Sequence, residues 1–345
     1  MRYNFTHSFS IAFIQMMKIY KALVLTLLIA IVVNCSAQQS ANIPRDTSYN
    51  IPKVFSQIRK DYPYAIPVKD SLPPNLKEFR NLVYATLPKT AFGKRDLHLD
   101  IFRPKDEKLL PALIFVHGGG WRSGDKLMEV PLAQLVAKSG FVTIPIEYQL
   151  SLEAKYPAAV YNIKAAIRWV KANAKLYGID TNKIAISGTS AGGQLAALVG
   201  TTNGVSKFEG NQGETTSSSK VQAIIDIDGV ISFIAPGSLN LDRKADSPDV
   251  AWLGGSYLQR PDLWKEASAG YWANEKTVPM LFINSGFSRF HAGQDELVAS
   301  LKEWGIYQEV YQFNVKVHPF WLFHPWADET AGYISTFMKK VFSKN

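Results

Sequence analysis

Lys183-Ile184-Ala185-Ile186-Ser187-Gly188-Thr189-Ser190-Ala191-Gly192-Gly193-Gln194-Leu195-Ala196-Ala197-Leu198-Val199 changes its character halfway along. Lys183 to Ser187 is short and apolar enough for a buried strand, and the stretch from Gly193 reads as the start of a helix. Between them stands Gly188-Thr189-Ser190-Ala191-Gly192, a G-x-S-x-G. A serine between a strand and a helix must sit on a very sharp turn, with its hydroxyl projecting beyond the sheet. Side chains two positions to either side would strike neighbouring backbone, so glycine stands at both. The helix that follows aims its positive end at whatever reacts there.

Upstream, His117-Gly118-Gly119-Gly120-Trp121 closes the apolar run Pro111 to Val116. Consecutive glycines let a chain turn its N–H groups inward with no side chain in the way. An acyl-transfer site needs such donors where an oxyanion forms. Gly119, Gly120 and Ala191 are therefore the expected oxyanion donors, and His117 is expected to brace the loop rather than act as a base.

The rest of the chain supplies a frame. Val83–Leu87 and Asp96–Phe102 alternate like antiparallel edge strands. Apolar strands are expected at 111–116, 141–146, 221–227, 278–283 and 309–313. Helical spacing marks 130–138, 158–177, 293–304 and 328–342. Strands alternating with helices predict an α/β fold, a mostly parallel sheet flanked by helices on both faces. Residues 232–277 break the alternation. They hold Trp252, Trp264, Tyr271 and Trp272 with little periodicity, and are expected to form a lid-like insertion.

Residues 1–37 read as a signal peptide. Lys18 and Lys21 precede the apolar run Ala22 to Val33, and Ser36-Ala37 offers small residues for cleavage. Cys35, the single cysteine, is either discarded with the leader or becomes a lipid anchor. The mature chain then has no cysteine pair for a disulfide framework. Residues 38–80, with six prolines, read as an irregular arm, and 81–345 as the folded domain. The 38 basic and 29 acidic residues give a net charge of +9, of which Arg2, Lys18 and Lys21 in the leader supply three. No basic block or motif accompanies the charge, so nucleic-acid binding is not expected.

At this point the chain resembles the HGGG-type, hormone-sensitive-lipase-like esterases of the α/β-hydrolase superfamily. His117 to Trp121 with Gly124-Asp125, Glu147 to Leu150, Tyr156 to Ala159 and Gly188 to Gly192 occur in that family's order. The spelling HGGGW-x-x-GD is similar to secreted acetyl and feruloyl esterases that trim plant polysaccharides. The resemblance covers about residues 82–342, least well at the insertion. It implies an α/β-hydrolase fold and hydrolysis of a carboxylic ester by Ser-His-acid chemistry without a cofactor, with Ser190 as nucleophile.

The general base should follow the last strand, where His318 stands, with His324 and His291 as rivals. The acid departs from the family pattern. After 280–283 the chain reads Asn284-Ser285-Gly286-Phe287-Ser288-Arg289, and no carboxylate appears before Asp295. Asp295 is favoured, Asp228 is the alternative, and a Ser-His dyad is a third arrangement. Asp295 also suits the first turn of the helix after it. Trp121, Arg289 and Trp321 are the substrate-binding candidates. The aromatics would stack on sugar rings and Arg289 would grip a carboxylate; the plainer readings are core packing and an internal salt bridge.

The expected activity is an exported serine esterase releasing acetyl, methyl or feruloyl groups from a plant cell-wall polysaccharide. The alternatives are a peptidase or amidase on the same scaffold, and a catalytically silent binding module suggested by the displaced acid.

Overall fold

The period-two pattern of the apolar strands builds the core. In the computed structural model, which describes residues 43–106 and 108–343, successive residues of each central strand face opposite layers. From β4 (Leu110–Val116), Ala112, Ile114 and Val116 enter one apolar cluster, and Leu113 and Phe115 the other. Strands β6 (Ile179–Thr189), β7 (Ala223–Ile227) and β8 (Met280–Asn284) split their residues in the same way. A strand buried on both faces needs this continuous apolar run.

With β2 (Leu76–Thr90), β3 (Gly93–Pro104), β5 (Val142–Ile146) and β9 (Gln308–Gln312), these strands form an eight-stranded sheet ordered β2-β3-β5-β4-β6-β7-β8-β9. The pairings β2–β3 and β3–β5 are antiparallel and the rest parallel. Helices Ala158–Ala172, Ala191–Thr201 and Gln294–Glu303 cover one face, and Val130–Ala137 and Trp326–Phe342 the other. This is the expected α/β-hydrolase architecture. The helix expected over 158–177 ends at Ala172, and a separate turn, Ala174–Tyr177, follows Asn173.

The arm is more regular than its prolines suggested. Helix Ile51–Ile58 begins with Asn50 accepting from Lys53 N at 3.0 Å and Pro52 in its first turn, which is how a proline starts a helix rather than breaking one. Its Phe55 stacks on Phe323, and β1 (Ile66–Pro67) pairs antiparallel with β10 (Phe323–His324). Strand β2 already begins within the arm, at Leu76. The insertion at 232–277 contains four short helices, Pro236–Leu239, Pro248–Leu253, Pro261–Glu266 and Ala269–Trp272. The leader, Cys35 and the start of the arm lie outside the described residues.

Register places the chemistry. Val116 pairs with Gly188, Thr189 with Ile227, and Ile227 with Ile283. Four parallel strands therefore end at one edge, and the residues after them, His117, Ser190, Asp228 and Ser285, gather there. The crevice beyond the carboxyl ends of such strands is where open α/β sheets bind ligands.

Candidate active site

Ser190 has φ +55° and ψ −119°. This left-handed conformation costs a side-chain-bearing residue about 1–3 kcal/mol and must be enforced by its surroundings. Ser190 N donates to Ile227 O at 2.8 Å, and Ser190 O accepts from Gln194 N at 3.1 Å. The flanking glycines are obligatory. A Cβ at Gly188 would lie 2.0 Å from Gly192 O, and one at Gly192 would lie 2.0 Å from Val116 O.

His318 reaches the serine from the chain beyond β9. Its Nε2 is 2.8 Å from Ser190 Oγ, and its Nδ1 is 2.7 Å from Asp228 Oδ2. Asp228, with φ +53°, follows β7 directly; its backbone N donates to Ile283 O, and its Oδ1 accepts from Ser285 N at 2.7 Å. Burial alone would raise the Asp228 pKa. Hydrogen bonds from His318 and Ser285, with the His291 imidazole close by, outweigh burial and hold it below the ordinary carboxylate value. Asp228 is therefore the acceptor, His318 carries its proton on Nδ1, and the free Nε2 lone pair faces the serine hydroxyl. Burial lowers the His318 pKa, and the bond to Asp228 restores only part of the loss.

The expectation of Asp295 as the partner of His318 is corrected. Asp295 is exposed in the first turn of helix Gln294–Glu303. The chain before it folds into a tight turn, Ser288–His291, and Gly293 at φ +83° swings it into the helix. Phe290 and His291 face inward instead: Phe290 stacks on His318, and His291 Nε2 lies 3.4 Å from Asp228 Oδ1. The rival His324 pairs with Asp328 on helix Trp326–Phe342.

Beside Ser190 lies a cavity of about 340 Å³, lined by Gly120, Trp121 and Ala191 and walled by residues of the 232–277 segment such as Phe233, Leu241 and Pro248. Gly120 and Ala191, two of the expected oxyanion donors, thus border it. Gly119, at φ +112°, sits in the turn itself: its carbonyl accepts from Arg122 N, Ser123 N and Ser123 Oγ. His117 is buried, with Nδ1 2.8 Å from Gly118 O and its ring stacked on Tyr148, and burial lowers its pKa to about 4. It braces the glycine loop as a neutral imidazole.

One of the three substrate candidates, Trp321, is placed differently from the expectation. Trp321 is buried in the second apolar cluster, against Phe320, with the His318 ring at right angles to it. Trp121 borders the cavity, with one face stacked on Trp252, 4.9 Å away and nearly parallel. Its Nε1 donates to Gln194 Oε1, and Gln194 Nε2 donates to Ala267 O. Bulk in Trp321 served packing rather than a sugar platform, while Trp121 both packs and borders the cavity. Arg289 is exposed at the cavity rim over the Phe290 ring, and no ion pair among the described residues engages it.

Other participants carried no sequence signal. Glu129 is fully buried; its Oε1 accepts from Thr189 Oγ1 at 2.6 Å, next to the nucleophile, and its Oε2 has no hydrogen-bond partner among the described residues. Burial raises its pKa to about 8 against the pull of that hydrogen bond. Asp226, two residues before Asp228, is also buried, and burial together with the Asp228 charge pushes its pKa well up.

The BD-FAE family model matches residues 99–301, a span that holds Ser190 and Asp228 and stops short of His318. Esterase LipC of Mycobacterium tuberculosis is 29% identical over 223 residues, 63% of this chain and 55% of LipC. The probable carboxylic ester hydrolase LipM of the same organism is 36% identical over 140 residues, 39% of this chain and 32% of LipM. The chain thus spans about half, or less, of the length of these curated relatives. A truncated carbohydrate esterase from gut microbiota superposes with a TM-score of 0.68 at 25% identity, covering 80% of this chain and 98% of that one. The esterase Est2 of Thermogutta terrifontis gives 0.60 at 25% identity, covering 78% and 93%.

Proposed function

The chain belongs to the BD-FAE family of α/β-hydrolases, and from that premise we propose that it is a serine carboxylic-ester hydrolase. The observation that carries this reading is the line Ser190 Oγ, His318 Nε2, His318 Nδ1, Asp228 Oδ2, with both contacts under 3 Å. Ser190 Oγ attacks the ester carbonyl while its proton passes to His318 Nε2. Asp228 stabilises the imidazolium. The N–H groups of Gly119, Gly120 and Ala191 receive the oxyanion. Collapse of the tetrahedral intermediate breaks the bond to the alcohol, which takes the proton from His318. Water, deprotonated by the same imidazole, then releases the acid from Ser190.

The substrate we propose is an acetyl, methyl or feruloyl ester on a plant cell-wall polysaccharide, met outside the cytoplasm after export directed by residues 1–37. The similarity to a gut-microbial carbohydrate esterase supports a sugar ester. Arg289 at the rim, stacked on Phe290 and without an ion pair among the described residues, suits a backbone bearing uronic acids, since a guanidinium binds a carboxylate through two hydrogen bonds. The silent-module alternative loses its motive, because it rested on a missing acid.

Ser190→Ala should abolish hydrolysis of p-nitrophenyl acetate while leaving the unfolding temperature within a few degrees of the parent; undiminished turnover would overturn the assignment. Assays of acetate, methanol and ferulate released from xylan and pectin test the substrate. Cleavage of p-nitrophenyl acetate with no release from either polymer would retain the esterase and remove the polysaccharide.

A further inference from the structure

Asp228 faces two histidines. Its Oδ2 is committed to His318 at 2.7 Å, while its Oδ1 takes Ser285 N–H at 2.7 Å and faces His291 Nε2 at 3.4 Å. His291 Nε2 is buried and, among the described residues, makes no hydrogen bond; Asp228 Oδ1 is the charged group it faces. A carboxylate held at one oxygen alone can swing about its terminal torsion, which is broad and soft. Donors converging on the second oxygen remove that freedom. The turn that carries His291 is itself fixed, since Ile231 N and Ser232 N both donate to Ala292 O. The same turn lays Phe290 on the His318 ring. One short segment therefore touches both the proposed base and the proposed acid.

We infer that His291 is a positioning residue, which with Ser285 N–H pins Asp228 Oδ1 so that Oδ2 stays aligned on His318. The inference rests on the Ser190–His318–Asp228 reading and adds a fourth side chain to it. His291 does not touch Ser190 and takes no proton from substrate. As the Nε2–H tautomer it spreads the Asp228 charge, which makes His318 less basic. The charged groups facing His291 are Asp228 from the end of β7, His318 from the loop beyond β9, and Arg289 from its own turn. Helix Pro236–Leu239, packed against the turn, has no titratable side chain, and Asp295 and Glu296 beyond it are exposed.

Two variants of the full chain separate positioning from packing. His291→Gln keeps an N–H at a similar reach and cannot titrate; His291→Phe keeps a ring and loses the donor. The readouts are the pH profile of kcat/KM for p-nitrophenyl acetate and the rate at which a fluorophosphonate labels Ser190. His291→Phe should lower kcat about tenfold, leave KM within about twofold, and move the acid limb upward by about half a pH unit. His291→Gln should recover most of kcat. Profiles of His291→Phe that superimpose on the parent would overturn the inference. So would a His291→Gln variant as slow as His291→Phe with its acid limb unmoved, the signature of lost packing. A parent protein that neither labels nor hydrolyses the ester is a different result, and it removes the esterase reading together with this inference.

Discussion

The imidazole of His318 lies flat on the ring of Phe290, centroids 3.5 Å apart and planes within 10°. One face of the base is thus closed to water. Burial is the main reason its pKa lies below the ordinary histidine value. The neutral imidazole is the active form, so activity should rise with pH through a limb centred below about 6.5. Phe290→Ala readmits water to that face. Its acid limb should move up toward about 6.5, with kcat several-fold lower, in a pH profile of kcat/KM. A limb unmoved in the variant would show that the ring does not set the basicity.

Asp228→Asn should lower kcat by about a thousandfold or more, because an amide presents no charge to the imidazolium and can bind the wrong tautomer. Asp295→Asn should stay within about twofold of the parent. Steady-state kinetics on both variants, with near-ultraviolet circular dichroism to check folding, decides between them. The reverse ranking would return the acid to Asp295.

Glu129 links the site to alkaline stability. Its pKa is about 8 in the folded chain and about 4.5 in a solvated one. Between those values the folded state keeps a proton that the unfolded state has released, so stability falls as pH rises from about 4.5 and levels off above about 8. The loss is on the order of a few kcal/mol. Asp226, shifted in the same direction, adds to the fall. Glu129→Gln can still accept from Thr189 and does not titrate. Its unfolding temperature should gain on the parent's between pH 5 and pH 9. Parallel curves would mean that Glu129 ionises freely in the folded protein.

The layered sheet was legible because apolar strands buried on both faces and amphipathic helices write different periods into the chain. The nucleophile turn was legible because Gly188 and Gly192 are steric necessities. The acid was not, because its identity depends on where a loop lays its residues. In hindsight Asp228-Gly229 at the end of one strand, set beside Asn284-Ser285-Gly286 with no carboxylate at the end of the next, was the usable signal. The helix at 51–58 was spelled in Asn50-Ile51-Pro52 and hidden by the prolines around it. Trp321 shows the limit of reading function from aromatic bulk, since an indole packs as readily as it binds. Glu129, Phe290 and Gln194 lie far in sequence from what they touch, and no local pattern announces them.

The buried chain of contacts from Trp252 to Trp121, Gln194 and Ala267 has an evolutionary consequence. Both its ends lie in the 232–277 segment, and its middle lies in the glycine loop and the nucleophile helix. That segment is not a detachable cassette. A segment transplanted from a relative would strip the Trp121 ring of its Trp252 stack and the Gln194 amide N–H of its acceptor beside the serine unless it brought matching partners. Specificity in this lineage should therefore drift by substitutions along the rim, at positions such as Leu241, Asp242 and Arg289, rather than by wholesale exchange of the wall.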